Sequence, residues 1–323
     1  MSQLKPGDVA PVALRLKDIV NRTPVMSSRT LNAQSGNTVF LKCENFQRVG
    51  AFKFRGAYNA ISQLNQSEKD AGVVTHSSGN HAQGVALAAK LLGVKAVVVM
   101  PVDAPMIKRK ATAQYGAEIV PCQAIQREEV ANKLVERHGY TLLHPYDNDN
   151  IILGQGTAAW ELFEETGHLD YLFVPVGGGG LISGSSLSAA AMSPGCKVVG
   201  VEPSLADDAK RSWESGQLVE LAQVPDTIAD GLRPRQVGQR NLDIMREHVS
   251  DMITVEEEDI VSTLVFIWER MKIIVEPSAA VALAPIFTGQ YTVQAKRVGV
   301  LISGGNIDLL NLPIGLRELI VDI

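Results

Sequence analysis

From about residue 70 onward, short apolar runs rich in β-branched residues alternate with helix-like segments. The predicted strands cover residues 73–75, 95–100, 118–121, 140–143, 171–176, 197–201 and 297–302. The predicted helices cover residues 80–92, 105–115, 126–138, 181–192, 260–271 and 278–287, and a further helix passes through 156–160. Strands that alternate with helices in this way form parallel sheets covered by helices. The sequence therefore predicts an α/β fold with two lobes.

The composition narrows the class of protein. A chain of 323 residues with 46% hydrophobic residues is large enough for two cores around one cleft. The net charge of −5 argues against binding to nucleic acid or to an anionic membrane. No apolar run reaches the roughly 20 residues that span a bilayer, and the first residues lack a hydrophobic signal core. We therefore expect a cytoplasmic protein, and the three separated cysteines suggest neither disulfides nor a metal site.

Ligands of open α/β sheets collect at the carboxyl ends of the strands, so the loops after strands are the places to search. The first of these loops, His76–His81, reads HSSGNH and leads directly into a helix. Its backbone N–H groups and the helix N-terminus suit a carboxylate. Helix capping by serine or asparagine explains the same loop equally well.

A second loop consists of four successive glycines, Gly177, Gly178, Gly179 and Gly180, between a strand and a helix. Without side chains, the backbone amides form a cup that favours an anion, most simply a phosphate group. A dinucleotide site is the alternative, because Glu202 ends the next strand at a suitable distance along the chain. The GxGxxG spacing fails, however, since the last glycine position holds Ile182 or Ser183.

Three further features remain. Ser303 stands at the end of the last strand, where a hydroxyl is commonly a helix or turn cap. The loop that begins at Glu202 carries three acidic residues in seven, which suits either solvent or a hard cation. Lys53 lies between Phe52 and Phe54, and such apolar neighbours lower the pKa of an amine. A lysine, a phosphate cup and a polar group for a ring nitrogen are what pyridoxal phosphate requires.

The chain resembles the fold-type II pyridoxal-phosphate enzymes, which have a tryptophan-synthase β-like fold of two domains. Within that group it is similar to the serine racemase and serine/threonine dehydratase family. The resemblance extends over almost the whole chain, through the segments GAFKFRGA, THSSGNHAQG, GQGTAAWE, VPVGGGG, EPSLADD, VEPSAA and ISGGNID. It implies a large cofactor-binding domain of residues 1–65 and 149–323, and a small domain of residues 66–148 that carries the carboxylate loop.

The resemblance also implies the role of each site residue. Lys53 would hold the cofactor covalently and move the Cα proton, and the Ser78 hydroxyl would serve the opposite face of the substrate. The other implied cofactor contacts are Phe52, Asn80, Gly177, Gly178, Gly179, Gly180, Gly231 and Ser303. The implied substrate contacts are Ser77, Ser78, Gly79, Asn80 and His81. Arg127 falls where it could reach a second carboxylate, although pairing with Glu128 or Glu129 explains it equally well.

For metal and partners, the resemblance implies a site for Mg²⁺, or for Ca²⁺ or Mn²⁺, formed by Glu202, the Ala206 carbonyl and Asp208. It implies a homodimer, with a nucleotide as a further effector. The implied activity is dehydration of L-serine, L-threonine or L-threo-3-hydroxyaspartate, with serine racemisation as a companion. A dedicated 3-hydroxyaspartate ammonia-lyase, a nicotinamide-dependent oxidoreductase and a non-catalytic ligand-binding protein are the alternatives.

Overall fold

The computed structural model describes residues 4–77, 79–102, 104, 106–310, 312 and 316. The strands in this part of the chain are β1 (Val25–Met26), β2 (Thr38–Cys43), β3 (Val73–His76), β4 (Ala96–Pro101), β5 (Glu118–Cys122), β6 (Thr141–Leu142), β7 (Tyr171–Pro175), β8 (Lys197–Pro203), β9 (Asp251–Val255) and β10 (Arg297–Ile302).

The same residues form α1 (Val9–Leu16), α2 (Arg29–Ser35), α3 (Lys53–Ser62), α4 (Gln66–Ala71), α5 (Asn80–Leu92), α6 (Met106–Gln114), α7 (Arg127–His138), α8 (Asp149–Thr166), α9 (Gly180–Met192), α10 (Asp208–Ser215), α11 (Gln239–His248), α12 (Glu257–Phe266), α13 (Pro277–Ala280) and α14 (Ala284–Phe287). None of the described helices is long and apolar enough to cross a membrane.

The strands form two sheets. One has the order β1-β2-β10-β7-β8-β9, in which β1 pairs antiparallel with β2 and the other pairs are parallel. The other has the order β5-β4-β3-β6 and is parallel throughout. Strands β3 and β4 are buried along their whole length, as expected for parallel strands that helices cover on both faces. The predicted α/β architecture with two parallel-sheet cores is confirmed.

Some predicted elements have different bounds in the structure. The helix predicted through 156–160 begins at Asp149, because the Asn148 side chain accepts a hydrogen bond from the Ile151 amide and caps it. The helix predicted for 260–271 starts at Glu257, and its last five residues, Ile267–Met271, form a π-helix. The helix predicted for 278–287 is divided into α13 and α14.

Helix packing brings three chain segments together between the sheets. Helix α3 packs against both α5 and α8, and α8 packs along α9. The N-terminal residues of α3, α5 and α9 are Lys53, Asn80 and Gly180. The fold therefore places the start of the lysine helix close to the helices that follow the two predicted ligand loops.

Candidate active site

Lys53 is the first residue of α3, and the backbone before it is attached to the end of β10. The Phe52 amide donates to the Ser303 carbonyl oxygen at 3.1 Å, and Ala51 forms a β-bridge with Gly304. The Lys53 Nζ atom donates to the Pro145 carbonyl oxygen at 2.9 Å and lies 5.1 Å from the centre of the Phe52 ring. Part of the side chain is accessible, but burial of the amine lowers the pKa of Lys53 to about 8.

The four glycines follow β7 and open α9, as the sequence indicates. The Gly178 carbonyl oxygen accepts hydrogen bonds from Asn241 Nδ2 at 2.8 Å and from the Gly238 amide at 3.1 Å. Gly179 has φ +90°, and a Cβ atom on Gly178 would lie 2.2 Å from the Tyr146 ring. Within the described residues, the amides of these four glycines donate no backbone hydrogen bond outside the regular helices and strands. The loop is therefore held through its carbonyl groups and can offer its amides to an anion.

The predicted carboxylate loop leads from β3 into α5. The Ser77 amide donates to the Val99 carbonyl oxygen at 3.2 Å, and the Gly79 amide donates to Ser77 Oγ at 3.3 Å. Ser78 lies outside the described residues. His81 is buried, with Nε2 at 3.3 Å from the Leu143 carbonyl oxygen and Nδ1 without a hydrogen-bond partner among the described residues. Burial, followed by the charge of Lys53, lowers the pKa of His81 well below its ordinary value.

The Asn80 side chain links the start of α5 to the segments that precede α13 and follow β10. Its Nδ2 atom donates to Glu276 Oε1 at 2.7 Å, and its Oδ1 atom accepts from Asn306 Nδ2 at 2.8 Å. Burial and the charge of Asp230 raise the pKa of Glu276 to about 7. Asn80 therefore has a fixed orientation, which neither the Ser–Gly–Asn motif nor its spacing indicates.

Ser303 and Gly231 lie on the large-sheet side of the cleft. Ser303 is buried and follows the last residue of β10. The Gly231 amide donates to Ser278 Oγ at 2.9 Å. A buried serine hydroxyl can donate to an acceptor or accept from a donor, so Ser303 suits a pyridine nitrogen.

Arg127 is the first residue of α7 and is partly buried. Burial has the largest effect on two neighbouring pKa values, since it lowers that of His76 and raises that of Tyr146. Glu128 raises both pKa values, and the charge of Arg127 lowers both. In the part of the chain that the structure describes, Arg127 forms no ion pair, whereas Glu129 pairs with Lys133 at 2.6 Å. Among the described residues, therefore, Arg127 pairs with neither Glu128 nor Glu129.

The acidic loop places two buried carboxylates together. Glu202 Oε1 and Oε2 accept hydrogen bonds from the Ala209 and Lys210 amides at 3.2 and 2.8 Å. Asp208 Oδ2 is buried without a partner in the described residues, and Ala206 is also buried. Across the described residues, no group of three or more His, Cys, Asp or Glu side chains is placed to hold a metal ion. The expected set has only two such side chains and a backbone carbonyl.

Sequence reasoning missed His144, which fixes the turn between β6 and α8. Its Nδ1 atom accepts from the Tyr146 amide at 3.4 Å and from the Asp147 amide at 2.9 Å. Burial and the neighbouring His76 lower the pKa of His144 to about 4. The neutral ring holds Pro145 toward Lys53, and only the HPY spacing could have suggested this role.

The fold and the site define a fold-type II pyridoxal-phosphate enzyme. Residues 16–304 match the model of the family described as pyridoxal-phosphate dependent enzyme. The chain belongs to that family, and the match excludes the nicotinamide-dependent alternative for the glycine loop.

Three relatives show where the chain lies within the family. It is 48% identical over 305 residues to an L-threo-3-hydroxyaspartate ammonia-lyase from Saccharomyces cerevisiae, covering 94% of this chain and 93% of the relative. It is 47% identical over 304 residues to a serine racemase from Schizosaccharomyces pombe, covering 94% of each chain. The crystal structure of the serine racemase from Dictyostelium discoideum superposes with a TM-score of 0.89 at 43% identity, covering 95% of this chain and 99% of that one.

Proposed function

We propose that the protein dehydrates a β-hydroxy-α-amino acid to a 2-oxo acid and ammonia, and that it also racemises serine. The proposed substrates are L-serine, L-threonine and L-threo-3-hydroxyaspartate. The main observation behind this proposal is the buried amine of Lys53 at the start of α3, in a chain of the pyridoxal-phosphate family. The names of the ammonia-lyase and racemase relatives support the choice of substrates.

The residues present suit pyridoxal phosphate. The Lys53 amine has its pKa lowered to about 8, so about a tenth of it is unprotonated and nucleophilic at pH 7, whereas an ordinary lysine is almost entirely protonated there. The amides of Gly177, Gly178, Gly179 and Gly180 would hold the phosphate group, and the Ser303 hydroxyl would meet the ring nitrogen. Phe52, Asn80 and Gly231 would position the ring. When bound, the cofactor supplies an electron sink that stabilises negative charge at the substrate Cα atom.

The chain's own residues account for binding and proton transfer. The loop of residues 77–81 and the N-terminus of α5 would bind the substrate carboxylate, and the buried His81 ring stays neutral beside them. Lys53 Nζ would take the Cα proton on one face. Ser78 would supply or accept a proton on the other face, which racemisation requires because the two enantiomers differ in the side that is protonated.

Arg127 separates the general dehydratase from the dedicated 3-hydroxyaspartate ammonia-lyase. A partly buried guanidinium without an ion pair among the described residues is available to bind a second substrate carboxylate. We expect Arg127→Met to lower kcat/KM for L-threo-3-hydroxyaspartate and to leave that for L-serine almost unchanged. Arg137→Met, which alters an exposed arginine of the same helix, is the matched control.

We also propose that Glu202, Asp208 and the Ala206 carbonyl bind Mg²⁺, or Ca²⁺ or Mn²⁺ in its place. The unpartnered Asp208 Oδ2 atom and the all-oxygen donor set suit a hard cation. The cation would stabilise the loop after β8. Chelation followed by the addition of each metal, with thermal unfolding as the readout, tests this site independently of catalysis.

Several broader proposals rest on the resemblance to the family. We propose that residues 1–65 and 149–323 form the large domain and residues 66–148 the small one, in a cytoplasmic homodimer that a nucleotide could regulate. The division is supported by the two sheets, since β3 to β6 supply one and the remaining strands the other. Light scattering of the full chain tests the dimer.

Steady-state kinetics test the central proposal. The three substrates are compared by 2-oxo acid and ammonia release, and D-serine is measured by chiral chromatography. Lys53→Ala is expected to abolish all of these activities, and Ser78→Ala to abolish D-serine formation while ammonia release persists. Cofactor binding without ammonia release from any of the three would instead favour a non-catalytic binding protein.

A further inference from the structure

One buried side chain beside the glycine loop has no partner in the protein. Gln155, in α8, is fully buried. Within the described residues, neither its Oε1 atom nor its Nε2 atom has a hydrogen-bond partner. The side chain thus keeps a donor group and an acceptor group inside the protein with no protein group to receive them.

The position of this carboxamide is defined by two glycines. A Cβ atom on Gly180 would lie 2.7 Å from Gln155 Oε1, and one on Gly56 would lie 3.3 Å from Gln155 Nε2. Gly180 is the first residue of α9, and Gly56 follows Lys53 by three residues, on the same side of α3. The carboxamide therefore lies between the lysine helix and the end of the glycine loop.

An unsatisfied group of this kind is costly. Each buried donor or acceptor without a partner costs about 1–3 kcal/mol, whereas methionine would fill similar space without that cost. Thr157, two residues further along α8, is also buried, but its Oγ1 atom donates to the Gly154 carbonyl oxygen at 2.6 Å. A polar side chain that is disfavoured in the empty protein points to a polar ligand at this place. The adjacent first turn of α9 favours an anion.

We propose that Gln155 is a binding residue for the phosphate group of pyridoxal phosphate, to which its carboxamide donates a hydrogen bond directly or through one buried water. It completes the cup formed by the amides of residues 177–180. Because the carboxamide also contacts α3, it fixes the distance between the phosphate group and Lys53. The inference rests on the cofactor and not on the choice of amino-acid substrate.

Comparing two ligands separates phosphate binding from a general effect on the fold. Apoprotein of the full chain is titrated with pyridoxal phosphate and with pyridoxal, which lacks the phosphate group. Gln155→Met is expected to weaken pyridoxal phosphate about tenfold or more, because a hydrogen bond to a charged group is lost, and to leave pyridoxal unchanged. Gln155→Glu should weaken pyridoxal phosphate further by repulsion. An equal loss for both ligands, or no loss, overturns the proposal.

Stability of the apoprotein gives a second and independent measurement. Gln155→Met removes two unsatisfied polar groups, so the apoprotein of this variant is expected to unfold at the same or a higher temperature than wild type. The added stability on saturation with pyridoxal phosphate should be smaller than in wild type. If Gln155→Met destabilises the apoprotein as much as it destabilises the cofactor-bound protein, Gln155 only supports the fold.

Gln47→Met is the matched control. Gln47 is also buried, but its Oε1 atom accepts from the Asn21 and Arg48 amides at 2.9 Å, and its Nε2 atom donates to the Asn21 carbonyl oxygen at 2.8 Å. This variant should destabilise the apoprotein and leave the preference for pyridoxal phosphate over pyridoxal unchanged. If wild type itself fails to bind pyridoxal phosphate, the cofactor assignment is wrong. If wild type binds and turns over substrate while Gln155→Met keeps its preference, only the present inference is wrong.

Discussion

The amine of Lys53 donates a 2.9 Å hydrogen bond to the backbone carbonyl oxygen of Pro145, which lies in the turn before α8. That turn is held by His144, whose Nδ1 atom accepts the amides of the two residues after Pro145. The next residue, Tyr146, packs on Gly178 of the glycine loop. One short segment therefore connects the reactive amine with the predicted phosphate site.

The lowered pKa of Lys53 predicts how the apoprotein captures its cofactor. Only the unprotonated amine attacks the aldehyde, so the capture rate should rise with pH and level off above about pH 8. An ordinary lysine, with a pKa of about 10.4, would continue to gain rate well beyond that pH. Stopped-flow absorbance between pH 6.5 and 9.5 measures this rate, with Lys53→Ala as the control. A rate still rising steeply at pH 9.5 contradicts the prediction.

The contact between Gly178 and Tyr146 predicts that a smaller residue at position 146 restores cofactor binding to a Gly178→Ala variant. In Gly178→Ala the new methyl group would lie 2.2 Å from the Tyr146 ring, so the loop or the ring must move. Overpacking costs about 1–3 kcal/mol, and we expect cofactor affinity to fall by about 5- to 100-fold. In a protein that already carries Tyr146→Ala, the Gly178→Ala substitution should lower cofactor affinity much less than it does in wild type.

A titration of all four proteins with pyridoxal phosphate measures the coupling. Gly7→Ala is the neutral control, because a Cβ atom there meets nothing within 4 Å. If the double variant binds as poorly as the sum of the two single losses requires, the ring is not what excludes a side chain at position 178.

Local patterns in the sequence predict some elements accurately. Helix α5 and strand β10 have the predicted bounds, since Asn80–Leu92 ends at Gly93 with φ +67° and Arg297–Ile302 is a bounded apolar run. Residues 177–180 likewise form the predicted glycine loop before a helix. In these cases the determining residues are neighbours in the chain.

Other features depend on contacts that are distant in the sequence. Gly154 and Gly156 obscure the length of α8, yet a Cβ atom on either would lie 2.7 Å or less from a backbone atom of α3 or α9. Strands β2 and β9 were not predicted, although both complete the larger sheet. The surroundings of Gln155, whose side chain has no partner among the described residues, likewise depend on how α3, α8 and α9 meet. The spacing of residues along the sequence does not indicate which buried polar groups find hydrogen-bond partners.

A buried ionic cluster supports the start of the lysine helix. Arg55, two residues after Lys53, is fully buried and contacts two carboxylates. Its Nε and Nη2 atoms donate to Glu44 at 2.7 and 2.8 Å, and its Nη1 and Nη2 atoms donate to Glu161 at 2.7 and 2.8 Å. Lys42 Nζ also donates to Glu161 at 2.7 Å. Two cations thus balance two anions between β2, α3 and α8.

Removing Arg55 should therefore destabilise the protein strongly. Arg55→Met leaves two buried carboxylates with one cation, and we expect a loss of about 3–5 kcal/mol in the free energy of unfolding. Urea unfolding with bound cofactor measures it, and Arg55→Lys should lose less because it keeps the charge. The control is Lys133→Met, because its pair with Glu129 is exposed to solvent and contributes little to stability. A comparable effect at both sites would contradict this role of the cluster.

The raised pKa of Glu276 predicts a pH-dependent difference between wild type and Glu276→Gln. Burial and Asp230 raise this pKa to about 7, while Lys108 and the hydrogen bonds from Asn80 and Asn306 act in the opposite direction. Between about pH 4.5 and 7 the folded protein therefore binds more protons here than the unfolded chain. Its stability relative to the glutamine variant must fall as pH rises through this range.

Urea unfolding of the two apoproteins at pH 5 and pH 8 measures this difference. Glutamine retains an acceptor for Asn80 and carries no charge. The free energy of unfolding of Glu276→Gln, relative to wild type, should therefore increase by about 1–3 kcal/mol from pH 5 to pH 8. Other titrating groups are common to both proteins and cancel in the comparison. Glu258→Gln, at an exposed position of α12, should show no such gain. A difference that stays constant from pH 5 to pH 8 would mean that Glu276 is already ionised in the folded protein at pH 5.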